Sequence, residues 1–242
     1  GNDFLVRGYE DGKSFTTREK YNPTLFVPSK KRTKYKTLDG KYLQSVKPGS
    51  VRDCREFYRT HGEVKGFEIF GNNRYIYQYI SDKYPEKEIL FDINKIKLVT
   101  IDIEVKSEKG FPTVQACDEE MLCITLQDYA TKRILTFGVG PYHHNDKMVK
   151  YVQCNDEYDM LQHFITYWSA NPPEVVTGWN CQLYDIAYLA KRITRVLGEK
   201  SCKKLSPWGL VTHEEIYLQG RAHTVYDIGG VTVLDYLDLY RK

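Results

Sequence analysis

Three carboxylates in this chain have the type and spacing for divalent-ion chemistry. Asp102 and Glu104 interrupt the apolar run LVTIDIEV, residues 98–105. Successive side chains of a strand face opposite ways, so the two acids share one face and Ile101, Ile103 and Val105 share the other. Taken alone, D-x-E is also the pattern of a half-exposed strand with its acids in water. A second segment, TGWNCQLYDIAYL, starts at the end of the apolar strand Val175–Val176, passes Gly178 and Asn180, and enters a helix near Tyr184 and Asp185. Strand ends of an open α/β sheet converge on one edge, where sites form. By itself Asp185 reads equally well as a favourable acid at a helix N-terminus. Three carboxylates delivered to one edge make a strongly negative pocket, costly unless cations fill it. Hard, oxygen-seeking Mg²⁺ or Mn²⁺ suit such a pocket. Two such ions, about 3.5–4 Å apart, activate a water and stabilise a leaving oxygen at phosphorus, which is chemistry for cleaving phosphodiester bonds.

The elements that must position these acids follow from periodicity. From Leu98 the expected order is a strand (98–105), a loop (106–119) and a hairpin within MLCITLQDYATKRILTFGVG. A strand near 150–154 and a helix over about 156–169 come next. Asn155 or Asp156 can cap that helix, and Met160, Phe164 and Trp168 recur every four residues. A strand in EVVTGWN, the helix YDIAYLAKRITRVLG and a β-rich tail from Trp208 complete the order, with Ile186, Leu189 and Ile193 facing the core. This predicts an α/β layer with a mixed sheet. Residues 1–97 read as a smaller α+β domain. FLVRGYE and TLFVPS are strand-like with DGK as the turn between them, and SKKRTKYKTLDGKYL is a basic loop or edge hairpin. SVRDCREFYRTHG is helical with Gly62 as C-cap. FEIFGNNRYIYQYI reads as two strands joined by a Gly71-Asn72-Asn73 turn. The boundary is expected between 85 and 97, giving domains 1–97 and 98–242.

Composition narrows the class. The chain has 242 residues, 41% hydrophobic and 28% charged, which fits a globular protein rather than a disordered one. It contains no run near the roughly 18 apolar residues of a membrane span. None of its six cysteines forms a C-x-x-C pair, which argues against a zinc site or disulfide framework and for a reducing cytoplasm. The net charge of +3 is divided: residues 1–97 carry 20 Lys and Arg against 13 Asp and Glu, while residues 98–242 carry 15 against 19. A basic first part and an acidic second part suit different partners.

TIDIEV followed by TGWNCQLYDIAYL resembles the first two exonuclease motifs of family B DNA polymerases, D-x-E on a strand and N-x(2–3)-[F/Y]-D at a strand-to-helix turn. KSEKGFP, GEKSCKKLSP and GVTVLDYLDLYRK are similar to the replicative polymerases of T4-like tailed phages, as is YNPTLFVPSKKRTKYKTLDGK in the first part. The resemblance implies an RNase H-like 3′→5′ exonuclease domain that removes mispaired 3′ ends. It implies that Asp102 and Glu104 bind a first Mg²⁺ or Mn²⁺, that Asp102 bridges to a second ion, and that Asp185 holds the second partly through water. Asn180 and Tyr184 would position the terminal nucleotides, and Phe111 would pack near the frayed bases; the residues alone allow Phe111 to be a loop aromatic sealing the core. HEEIYLQGRAHTVYDI is similar to the family's hairpin that helps part primer from template, with Gln219, Gly220 and Arg221 at its tip. The first domain resembles one of RNA-binding-like character. There Lys30, Lys31, Arg32, Lys34 and Lys36, with Tyr35 among them, would meet phosphates and stack on a base; a solvated basic loop is the alternative. The implied partners are DNA as a single-stranded 3′ end and primer–template, RNA through the first domain, and the remaining polymerase domains. No membrane partner is implied, and the setting is a cytoplasm, the host's if the chain is phage-encoded.

Two departures qualify the expected activity. The family's third motif, Y-x(3)-D, has no convincing copy here: near the end of the chain, Tyr236 is followed four residues on by Tyr240. Asp227, Asp235 and Asp238 are the acids that could stand in, on sequence order alone. Palm, fingers and thumb are also missing. The expectation is the amino-terminal and incomplete exonuclease portion of a replicative DNA-directed DNA polymerase, weakly active or inactive by itself. The alternatives are a non-catalytic nucleic-acid-binding module, a subunit of a split polymerase, or a stand-alone RNase H-like nuclease with its own complete acidic cluster.

Overall fold

Alternation decides the central strand. In β6 (Leu98–Val105), Val99, Ile101 and Ile103 are buried while Asp102 and Glu104 are exposed. The computed structural model describes residues 3–10, 12–71, 74–85, 92–108, 110–218 and 220–240, and the chain divides into two compact units, 1–91 and 92–242.

The first unit holds β1 (Asp3–Glu10), β2 (Lys13–Lys20), β3 (Leu25–Pro28), β4 (Tyr35–Lys36), β5 (Tyr42–Val46), α1 (Val51–His61) and α2 (Tyr75–Lys83). β1 and β2 pair antiparallel over eight rungs, and Gly12, at φ +76°, lies in their turn. The DGK turn therefore joins β1 to the polar strand KSFTTREK and not to TLFVPS. That polar strand carries no alternation, and it is its ladder with β1 that makes it a strand. β5 pairs with both β3 and β4. Ser50 and Asp53 close a capping box on α1, and Gly62 ends it in a right-handed conformation.

The two strands expected in FEIFGNNRYIYQYI are corrected. Phe70 alone pairs, with Phe26, residues 72 and 73 lie outside the described residues, and Tyr75 begins a helix. The alternating Tyr75, Tyr77 and Tyr79 imitate a strand. The tertiary contacts are spaced at three and four instead: Gln78 bonds the Thr24 carbonyl, Tyr79 stacks on Phe4, Asp82 accepts the Tyr21 hydroxyl and Lys83 pairs with Glu19. Partners on one side hold a helix against its strand-like lettering.

The second unit adds β7 (Met121–Asp128), β8 (Ile134–Val139), β9 (Val149–Cys154), α3 (Glu157–Ala170), β10 (Val175–Gly178), α4 (Asp185–Leu197), α5 (Glu199–Cys202), β11 (Val211–Leu218), β12 (Arg221–Ile228), β13 (Thr232–Asp235) and α6 (Tyr236–Tyr240). Six strands form one sheet in the order β13-β10-β6-β7-β8-β9. β7 runs antiparallel to both neighbours, and the other pairings are parallel. This is the mixed α/β sheet of an RNase H-like domain. The Asp156 carboxylate caps α3, whose Met160, Phe164 and Trp168 are fully buried. α4 buries Ile186, Leu189 and Ile193. Arg192 on α4 meets Glu157 on α3 through two 2.6 Å bonds, and Glu157 also accepts the Met121 N–H. This fork ties both helices to the start of β7. Among the described residues no helix is long and apolar enough to cross a membrane, and all six cysteines are free.

Candidate metal centre

β10 runs beside β6 only as far as Thr177 opposite Thr100. Beyond that rung the two strands part, and β6 continues alone on that side. The next residue of β10, Gly178, leaves no room for a side chain: a Cβ there would lie 2.8 Å from the Ile101 carbonyl oxygen and 2.9 Å from the Cys181 Cβ. Gly178→Ala is therefore expected to cost about 1–3 kcal/mol, read from urea denaturation midpoints. The chain then turns through Asn180, at φ +57°, a left-handed conformation that asparagine tolerates.

That turn brings Asp185 back to β6. Its Oδ1 accepts the buried Ile103 N–H at 3.1 Å, filling the place a neighbouring strand would have taken. Asp185 is only 5% exposed. Burial, and then the Asp102 charge, push its carboxyl up to about 7, against the pull of the Ile103 N–H. Burial and the Asp185 charge also raise the Tyr184 phenol.

Asp102, Glu104, Asn180, Tyr184, Asp185 and Phe111 line one open pocket of about 610 Å³. Phe111 is 79% exposed and its ring lies 5.3 Å from that of Tyr184, so it rims the pocket and does not seal the core. Trp179 and Leu237 are among the further lining residues that sequence reasoning missed. A large Trp directly after the strand VVTG was the available signal, and the structure leaves it 60% exposed. The donor set is three carboxyl groups, all oxygen donors, and burial with like charge keeps Asp185 partly protonated near neutrality. Such a set fits hard divalent cations. The three acids are less tightly drawn together than another trio: among the described residues, Cys154, Asp159 and His163 have ligand atoms within 4.8 Å of one another. That second trio serves the start of α3. Asp159 accepts from Asn155 and pairs with His163, and the Cys154 thiol donates to the Val152 carbonyl.

Residues 72–242 match the family described as DNA polymerase family B, exonuclease domain. The chain belongs to this family. It is 32% identical over 269 residues to the DNA-directed DNA polymerase of Enterobacteria phage T4, covering 100% of this chain and 30% of that protein. It is 28% identical over 270 residues to the DNA-directed DNA polymerase of Escherichia phage RB69, covering 99% and 30%. A DNA polymerase catalytic subunit of Psittacid herpesvirus 1 is 24% identical over 139 residues, 52% of this chain and 13% of that one. The chain thus spans about 30% of the length of the phage relatives it matches, and it is homologous to the amino-terminal and exonuclease region of replicative DNA polymerases. Exonuclease domains of family B polymerases are generally dependent on divalent metal.

The remaining candidates fall elsewhere. Arg221 is exposed where β12 leaves the β11–β12 turn, and the neighbouring Ala222 carbonyl accepts from Gln115 at 2.9 Å, tying the hairpin to the loop that carries Phe111. Lys30, Lys31, Arg32, Lys34 and Lys36 are exposed in the first unit. Lys34 and Lys36 each sit 5.0 Å from a ring centre, of Tyr35 and Tyr42, and the Tyr35 ring packs on Phe26. Of the acids considered as stand-ins for the third motif, Asp227 and Asp238 are exposed and do not line the pocket. Asp235 is 8% exposed, and its carboxylate is occupied by backbone N–H groups.

Proposed function

We propose that this chain is the amino-terminal and 3′→5′ exonuclease portion of a replicative DNA polymerase, and that its acidic pocket takes the 3′ end of single-stranded DNA. The observation that carries the reading is the meeting of Asp102, Glu104 and Asp185 around one pocket rimmed by aromatic rings. Asp102 and Glu104 would hold one Mg²⁺ or Mn²⁺, and Asp102 with Asp185 a second. Bound there, the ions supply activation of water and stabilisation of the leaving oxygen. The chain's own residues do the rest. Asp185 would release its proton to solvent on holding an ion, Asn180 and Tyr184 orient the terminal nucleotide, and Phe111 and Trp179 present ring faces to unpaired bases. The complete protein would synthesise DNA on a primer–template and remove mispaired ends, in the cytoplasm of an infected host. The basic run Lys30 to Lys36 and Arg221 would meet nucleic-acid backbone, RNA among the ligands of the first unit.

The test is release of mononucleotides from labelled single strands by the polymerase that carries this segment, with and without chelator. Release from 5′ ends, or release that persists in chelator, would overturn the reading. Phe111→Ala is expected to raise the KM for single-stranded DNA roughly 5- to 150-fold, the loss of one base stack at about 1–3 kcal/mol, with a smaller change in kcat. An unchanged KM would remove Phe111 from the binding surface.

A further inference from the structure

The turn that returns Asp185 to β6 contains a left-handed asparagine and follows a strand end with no ladder on the β6 side, so something must hold its shape. Asp235 occupies the place to do so. It is the last residue of β13, paired in register with Gly178 at the end of β10. Its Oδ1 accepts the Asn180 N–H at 2.8 Å and the Leu237 N–H at 2.9 Å, and its Oδ2 accepts the Gln182 N–H at 2.9 Å. One carboxylate thus grips two amides of the turn and one of the following segment. Bonds from N–H groups to an ionised acceptor are about twice as strong as neutral ones. Asp235 is 8% exposed and is not among the pocket-lining residues; its charge adds to the like-charge push on Asp185 after burial and Asp102, and its contacts reach the pocket through the turn. Trp179, Asn180, Tyr184 and Asp185 all follow from where that turn goes.

We infer that Asp235 is a positioning residue for the acidic pocket: its three-amide grip sets the 179–184 turn, and through it the affinity of the pocket for divalent ions. The ion-affinity half of this inference rests on the function proposed above. An aspartate–asparagine exchange separates the bonds. Asparagine keeps one acceptor oxygen for Asn180 and Leu237 but turns an amide NH₂ toward the Gln182 N–H, whereas alanine removes both acceptor oxygens and with them all three bonds.

The experiment pairs amide hydrogen exchange with Mn²⁺ titration by electron paramagnetic resonance, on the 242-residue chain. Asp235→Asn is expected to lose protection at Gln182 first and to bind Mn²⁺ about tenfold more weakly, the usual cost of losing a residue that orients ion ligands. Asp235→Ala is expected to lose protection at Asn180, Gln182 and Leu237 and to weaken Mn²⁺ roughly 10- to 100-fold. Protection in α3 and β7 is expected to persist in both, which a global loss of structure would not allow. If the alanine variant does not fold, the asparagine variant carries the test. Unchanged Mn²⁺ affinity with the three amides exposed, or protected amides without Asp235, would overturn the inference alone. If the parent chain binds no Mn²⁺ that Asp102→Ala removes, the proposed function falls, and with it the effect on ion affinity; exchange at the three amides still tells whether Asp235 holds the turn.

Discussion

With divalent ions chelated, the Asp185→Asn variant is expected to be more stable than the parent chain at pH 8, by up to about 4 kcal/mol. The reason is linkage. The Asp185 carboxyl lies at about 7 in the folded protein against a model value of 3.8. Between those values the native state holds a proton that the unfolded state has released. Stability therefore falls as pH rises from about 4 to about 7, and the contribution present below about 4 is lost above 7. About three pH units at 1.36 kcal/mol each set the upper size. Asparagine cannot ionise, yet its side-chain oxygen can still accept the Ile103 N–H, so the variant escapes the slope without losing the bond. The difference between variant and parent isolates this group from acids such as Glu19 and Asp128, whose carboxyls are held low by hydrogen bonds. Urea denaturation in chelator at pH 4.5 and pH 8 reads it directly. Added Mn²⁺ is expected to stabilise the parent more than the variant, which keeps only the Asp102–Glu104 position, since an ion that binds the native state shifts unfolding. A parent as stable at pH 8 as the variant would remove the strained carboxyl from the account.

The second large effect concerns Asp102. It shares the exposed face of β6 with Glu104, and its charge is the first electrostatic influence on Asp185 after burial itself. It is the acid common to both proposed ion positions. In the polymerase that carries this segment, Asp102→Ala is expected to lower 3′→5′ hydrolysis of single-stranded DNA about 10³-fold, roughly 4 kcal/mol of barrier. Primer extension is expected to stay within about a factor of two. In the 242-residue chain alone the same change is expected to abolish Mn²⁺ binding at the pocket. Hydrolysis within tenfold of the parent would show that the chemistry uses another set of acids. An equal fall in extension would mean that the substitution disturbs more than this pocket.

Much of the second unit was open to reading from the chain itself. The D-x-E strand, the α3 stripe of Met160, Phe164 and Trp168 and the α4 stripe of Ile186, Leu189 and Ile193 are local periodic patterns, and burial follows them residue by residue. The Asp156 cap is equally local. The family motifs supplied the pairing of the two acidic segments. α2 misled because Tyr75, Tyr77 and Tyr79 alternate like a strand, while the groups that bind it, Thr24, Phe4, Tyr21 and Glu19, lie more than fifty residues away. β2 was missed because its polar residues carry no period at all.

The sequence by itself determined which residues can carry the chemistry, and that two acids share one face of a strand, because side-chain direction along a strand or helix depends on only a few neighbouring residues. The tertiary structure decided the rest. Asp185 bonds the Ile103 N–H only because β10 stops short and leaves that group unpaired, and its carboxyl is raised only because burial and Asp102 meet there. Asp235 became a grip on the turn through amides 53 and 55 residues away. Those outcomes depend on where distant strands end relative to one another, which no short window of residues contains.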